Sequence, residues 1–216
     1  MNGLFLKPED EQFSNRFFKH SNNFRKMFLK FSFAYLFLFM LSSHVCIAFD
    51  KAAGWTEAGR KSGSYKMGID KEAGFDGSNC GTIQSIAPKI EGFGLYIQKF
   101  KAENYRGKKI SFTGFMKSVD VSEQASFMIR VDKNDTTAIM DNMHDREIKG
   151  STDWKQYEIT MDVPDNAVYI SIGASIKGTG QIWFDNLSFQ LINNSEPLES
   201  SENTGPINLN FEKIVE

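Results

Sequence analysis

The stretch Val168-Tyr169-Ile170-Ser171-Ile172-Gly173-Ala174-Ser175-Ile176 decides the fold. Every second residue is apolar, and the residues between are Tyr169, Ser171, Gly173 and Ser175. A period of two puts one set on each face of an extended strand, one face buried and the other accessible. Lys177-Gly178-Thr179-Gly180 then predicts a hairpin turn, leading into a second strand over 181–191.

The same alternation extends upstream. Tyr157, Ile159, Met161 and Val163 alternate with Glu158, Thr160 and Asp162, and Pro164 stops that strand. Phe127, Ile129 and Val131 alternate with Ser126, Met128 and Arg130, while Ile110, Phe112 and Met116 oppose Ser111, Thr113 and Lys117. Less regular strands are expected over 64–69, 80–86 and 94–100, and a turn or two of helix over 102–105. Short strands separated by Gly, Asp, Asn and Pro turns mean an all-β protein. One polar face on most strands favours an antiparallel sandwich.

Among 216 residues, 25 basic side chains stand against 27 acidic ones, a formal net charge of -2. That balance lacks the cationic footprint that phosphate neutralisation needs, so nucleic acid is not an expected partner. Twenty Phe and six Tyr suit strands packed on an apolar layer and argue against disorder. Cys80 is the one cysteine downstream of the export segment; it is read as a small buried hydrophobe.

That export segment spans 27–48. Arg25, Lys26 and Lys30 precede the uncharged run 31–41, FSFAYLFLFML, and Cys46-Ile47-Ala48 supplies a small-x-small pattern. This is the grammar of a secretory signal, with cleavage expected after Ala48. An uncleaved signal-anchor is the alternative, and in that case membrane contact comes through 27–48 alone. Both readings export the domain: secreted, periplasmic, cell-surface, or anchored with the domain outside. Residues 1–26 form a polar extension, consistent with a true start at Met27. The sandwich is expected over 49–192 and a polar linker over 193–205; 206–216 is read as the stub of a first strand of another domain.

Several motifs in order carry a resemblance. Phe49-Asp50, Gly54-Trp55, Asp76-Gly77-Ser78 and Asp185-Asn186 resemble the opening strand, Gly-Trp, Gly-Ser turn and last-strand acid of carbohydrate-binding jelly-roll modules. Tyr65-x-Met67-Gly68-x-Asp70, Tyr105-Arg106-Gly107-Lys108, Thr152-Asp153-Trp154 and 178–185 (GTGQIWFD) resemble a bacterial domain often labelled a transcription regulator of the arabinose-regulator type. Asn208-Leu209-Asn210-Phe211-Glu212 resembles strands ahead of exported peptidases related to the C-terminal-processing serine peptidases. The resemblance implies a jelly-roll β-sandwich, here preceded by a hydrophobic signal or anchor helix.

It also implies a structural calcium at Asp50, Asp76 and Asp185. For a ligand such as a glycan or another envelope component, the expected site joins Met128, Arg130, Asp132, Asp141, Asn142, Met143, Arg146 and Tyr169. Trp183, Trp154 and Trp55 are assigned to packing, with Trp183 in the core phase of its strand. No Gly-x-Ser-x-Gly elbow, His-Glu-x-x-His helix or phosphate loop occurs, so no enzyme is expected. The functional expectation is an exported, non-catalytic binding module. The alternatives are an accessory domain of a truncated exported enzyme and a ligand-sensing domain related to transcription regulators.

Overall fold

The structure is a computed structural model that describes residues 48–192 and 204–215. The polar extension, the signal or anchor segment up to Ile47 and the linker residues 193–203 lie outside the described residues. Among the described residues, no helix is long and apolar enough to cross a membrane. Among the described residues, the regular structure consists of strands and two short 3-10 turns, Ser62–Ser64 and Glu103–Tyr105, the second in the segment expected to be helical.

The strands are β1 (Thr56–Ala58), β2 (Tyr65–Asp70), β3 (Cys80–Ser85), β4 (Phe93–Lys101), β5 (Lys109–Lys133), β6 (Ala138–Asp141), β7 (Ile148–Asp162), β8 (Ala167–Lys177) and β9 (Gln181–Leu191). Every pairing is antiparallel. The path runs β1-β4-β8-β5-β9-β3-β2, with β6 and β7 also paired to β5.

The 25-residue β5 makes one sheet into two layers. Its first half pairs with β7 and β9, and its second half with β8 and β6. Between them Asp120 takes φ 53°, and the β7 register slips at three places between Met116 and Ala125. Bulges of this kind bend and twist a strand, which carries it from one layer into the other. The sequence pattern reads the two halves as separate strands because the alternation is interrupted there. Phe112 of the first half meets Phe127 of the second edge to face at 5.3 Å, and Phe127 meets Phe184 of β9 at 6.3 Å. These rings, all fully buried, fill the space between the layers.

Two expectations are corrected by backbone geometry. In β9, Ile182 and Phe184 are fully buried, so Trp183 stands on the outer face. Its indole N–H donates to Asp70 Oδ2 at 2.7 Å, and Lys117 Nζ lies 5.4 Å from its ring. Asn186 takes φ 53° beside a register shift against β5, and beyond it Leu187 and Leu191 become the buried residues. A bulge therefore reverses the phase between Trp183 and Leu187.

The second correction concerns 206–215, which pack into this same core. Phe211 is fully buried, 4.8 Å from the Trp55 ring and 5.4 Å from that of Phe184. Space for it exists because residue 81 is glycine: a Cβ there would lie 2.6 Å from the Phe211 ring. Gln98 brackets Ile207, donating to its carbonyl at 2.6 Å and accepting from its N–H at 2.9 Å. Asn208 donates to the carbonyls of Ala53 and Lys213 and accepts from Lys213 N–H, while its own carbonyl receives the Trp55 indole. Ile214 bridges to Ala52. The segment is a strap across the start of the domain, with its aromatic side chain, Phe211, buried while Ile214 and Val215 stay exposed.

Candidate functional site

The accessible face of the second layer is built from β4, β8 and β5, with β8 in the middle. Ile170, Ile172, Ala174 and Ile176 of β8 are fully buried, which sends Tyr169, Ser171, Gly173, Ser175 and Lys177 to the opposite face. The register gives their neighbours. Lys177 lies between Phe93 and Gln124, Ser175 between Leu95 and Ser126, and Gly173 between Ile97 and Met128. Ser171 lies between Lys99 and Arg130, and Tyr169 between Lys101 and Asp132. Over Ser171, Gly173 and Ser175 the middle strand carries small residues, flanked by Lys99, Ile97 and Leu95 on one side and by Arg130 and Met128 on the other.

That contrast in size is the physical origin of a trough of about 320 Å³. Its walls include Phe93, Leu95, Met128 and Met140, with Gln124, Asn142 and Ser175 as polar groups and Arg130 and Lys177 as cations. An apolar cleft with a few directed polar groups is the usual form of a small-ligand site. Met128 is 4% exposed and lies deep in its wall, whereas Met140, opposite Arg130 on β6, is 54% exposed and forms a rim. Gln124 donates to the Asn142 carbonyl at 3.3 Å, tying the 141–147 loop to the trough.

Of the eight residues expected at the ligand site, Met128, Arg130 and Asn142 line the trough. Asp132 adjoins it, accepting from Arg130 Nε at 2.7 Å and Lys99 Nζ at 3.1 Å. Partial burial works to raise its pKa, but these two cationic donors prevail and hold the carboxyl below its ordinary value. Tyr169 lies one row beyond, with Lys99 Nζ 4.5 Å above its ring.

Asp141 and Arg146 hold the loop instead. Asp141 accepts from Met143 N–H at 2.8 Å and from Arg146 Nη2 at 2.9 Å, and Arg146 also bonds Asp145. Met143 is corrected outright: it is fully buried in the core and cannot present its side chain to a ligand. Its φ of 55° at the Asp141-capped turn reverses the chain there. The sequence does not point to Phe93, Leu95, Gln124, Met140, Ser175 and Lys177, because the register that sets β4 beside β8, and β8 and β6 beside β5, is not written in local alternation.

Asp50, Asp76 and Asp185 each have protein partners of their own. Asp50 pairs with Lys71 at 2.7 Å, and Asp76 accepts from Ser78 N–H at 3.0 Å within its own turn. Asp185 is buried and accepts from Phe75 N–H at 2.9 Å, Asn186 N–H at 2.6 Å and Ser78 Oγ at 3.3 Å. These are hydrogen donors, whereas calcium needs a shell of oxygen lone pairs. Among the described residues, no group of three His, Cys, Asp or Glu side chains could hold a metal ion. Burial raises the Asp185 pKa against the opposing pull of those hydrogen bonds.

Asp185 therefore pins the 74–78 turn to β9. The turn's Phe75 stacks on Phe115 at 4.0 Å and meets Trp154 edge-on at 6.1 Å. Asp185→Ala is expected to cost about 1–3 kcal/mol, since two backbone donors lose their acceptor. The loss is read from urea unfolding together with faster amide exchange at Phe75. Calcium added to the wild-type protein is expected to leave its melting temperature unchanged.

The comparisons agree with this architecture. No family model matches the chain. An uncharacterized HTH-type transcriptional regulator of Bacillus subtilis (strain 168), YbfP, is 36% identical over 173 residues, 77% of this chain and 59% of that protein. The chain thus spans 59% of the length of the curated relative it matches. Among solved structures, the CBM22-1 xylan-binding domain of Paenibacillus barcinonensis Xyn10C superposes with TM-score 0.50 at 12% identity, covering 68% of this chain and 92% of that one. The CBM22-1-GH10 modules of Clostridium thermocellum endo-1,4-beta-D-xylanase 10B, complexed with xylohexaose, give TM-score 0.51 at 13% identity, over 67% of this chain and 27% of that one. The fold is that of the jelly-roll carbohydrate-binding modules.

Proposed function

We propose that the protein is an exported, non-catalytic binding module that takes a glycan in the trough along β8. The observation that carries the reading is the trough itself, with small residues on the central strand between walls supplied by Phe93, Leu95 and Met128. A sugar ring offers apolar C–H faces and a polar rim, and such a cleft meets both. The fold is shared with xylan-binding modules, and fold alone does not assign a ligand. Export rests on the charged, apolar and small-residue pattern before Phe49.

A second reading has a specific observation behind it. The match to YbfP extends over 77% of this chain, which supports a ligand-sensing domain of the kind joined to regulators. Both readings need an occupied trough; they differ in what occupancy signals to.

The test is affinity electrophoresis of the purified protein through gels containing xylan, galactan or polygalacturonate. Retardation by at least one polysaccharide is expected. Phe93→Ala removes an exposed wall residue and is expected to weaken that retardation about tenfold, the loss of one good contact. Free migration through every gel, or retardation indifferent to Phe93, contradicts the reading.

A further inference from the structure

We infer that the trough selects an acidic glycan, with Arg130 holding a uronate carboxylate; this rests on the glycan reading above. The charge of the lining is one-sided. Arg130 and Lys177 both contribute to it, and none of the residues lining the trough is a carboxylate. The hydroxyls of a neutral sugar donate as well as accept, and a wall of Asp or Glu would receive them. This wall offers side-chain acceptors only at Gln124, Asn142 and Ser175, and is richer in donors.

Arg130 is set for the task by its neighbours. Asp132 engages Nε alone, at 2.7 Å, which fixes the plane of the guanidinium. Among the described residues, neither terminal nitrogen of Arg130 has a protein hydrogen-bond acceptor. A guanidinium edge with two parallel N–H groups matches a carboxylate in bidentate fashion. Lys99 shares the same Asp132, so two cations face one carboxylate and a positive charge is left over at this end of the trough. Lys177 is balanced by Glu123 at 2.7 Å, which makes Arg130 the anchor and Lys177 an accessory. Met128, Met140 and Phe93 supply the apolar surface for the ring that bears the carboxylate.

The test compares one backbone in two charge states: polygalacturonate and its fully methyl-esterified form, titrated calorimetrically into the full chain, with neutral xylan as a third ligand. The acid form is expected to bind about tenfold or more tightly than the ester, consistent with a charge-assisted pair, and to weaken as salt rises. Arg130→Gln keeps a hydrogen-bonding side chain without the charge and is expected to bring the two forms to equal affinity, with unchanged melting temperature. Equal or tighter binding of the ester, or of xylan, by the wild-type chain overturns the acidic preference while the glycan reading stands. Failure of all three ligands to bind overturns the acidic preference, and the glycan reading falls with it when galactan also fails to retard the protein.

Discussion

Phe211→Ala is expected to lower the stability of the domain by about 3–5 kcal/mol, the usual cost of emptying a buried aromatic site. The side chain is fully buried against Trp55 and Phe184, and the Gly81 backbone forms part of its socket. The strap around it closes by hydrogen bonds from Gln98, Asn208 and Trp55, so little can collapse into the void. Urea unfolding of the variant should show the midpoint falling with little change in slope. A variant as stable as the wild type would mean that 206–215 decorate the sandwich and are not part of its core.

Gly173→Ala is the second large effect. Gly173 sits at φ 157°, and a Cβ there would lie 2.2 Å from the Tyr96 carbonyl oxygen and 2.8 Å from Ile97 Cα. Both contacts are backbone atoms of the paired strand β4, so no side-chain rotation relieves them. Backbone strain and overpacking together are expected to cost about 3 kcal/mol or more. The substitution also disturbs the strand under the trough floor, so ligand binding should fall with stability. A melting temperature within a degree or two of wild type would show that β4 and β8 can separate locally without loss.

Why the trough and the strap differ in legibility from the strands follows from the range of the forces involved. Alternation in 168–176 is a local signal of burial, and it marks the small outward residues Ser171, Gly173 and Ser175 directly. What flanks them depends on pairing register between segments far apart in sequence: Phe93 meets Lys177 and Met140 meets Arg130 only once the sheet closes. Single left-handed residues hide from a period count as well. Asn186 reverses the phase that assigned Trp183 to the core, and Met143 turns inward from a loop of polar neighbours. The motif around Phe211 reads as the start of a new domain because an apolar residue after a polar linker has no local partner. Its partners, Trp55 and Phe184, come from the opening loop and the last strand.

Asp185 shows the opposite case. Its position in an apolar strand marks it as needing a partner. Sequence reasoning supplied a metal, and the fold supplies three hydrogen-bond donors from the 74–78 turn and Asn186. A buried carboxylate in a β-sandwich is thus as readily a staple for a loop as a ligand for calcium.

The central claim is that the β8 trough binds a glycan, and methionine-methyl NMR tests it most directly. Met128 and Met140 line the trough, while Met67, Met116 and Met143 are buried in the core. Titration with oligosaccharides of whichever polysaccharide retards the protein is expected to shift the Met128 and Met140 methyl resonances together, with the core methyls unmoved. Saturable binding that leaves Met128 and Met140 unchanged would contradict the account, placing the ligand elsewhere on the molecule.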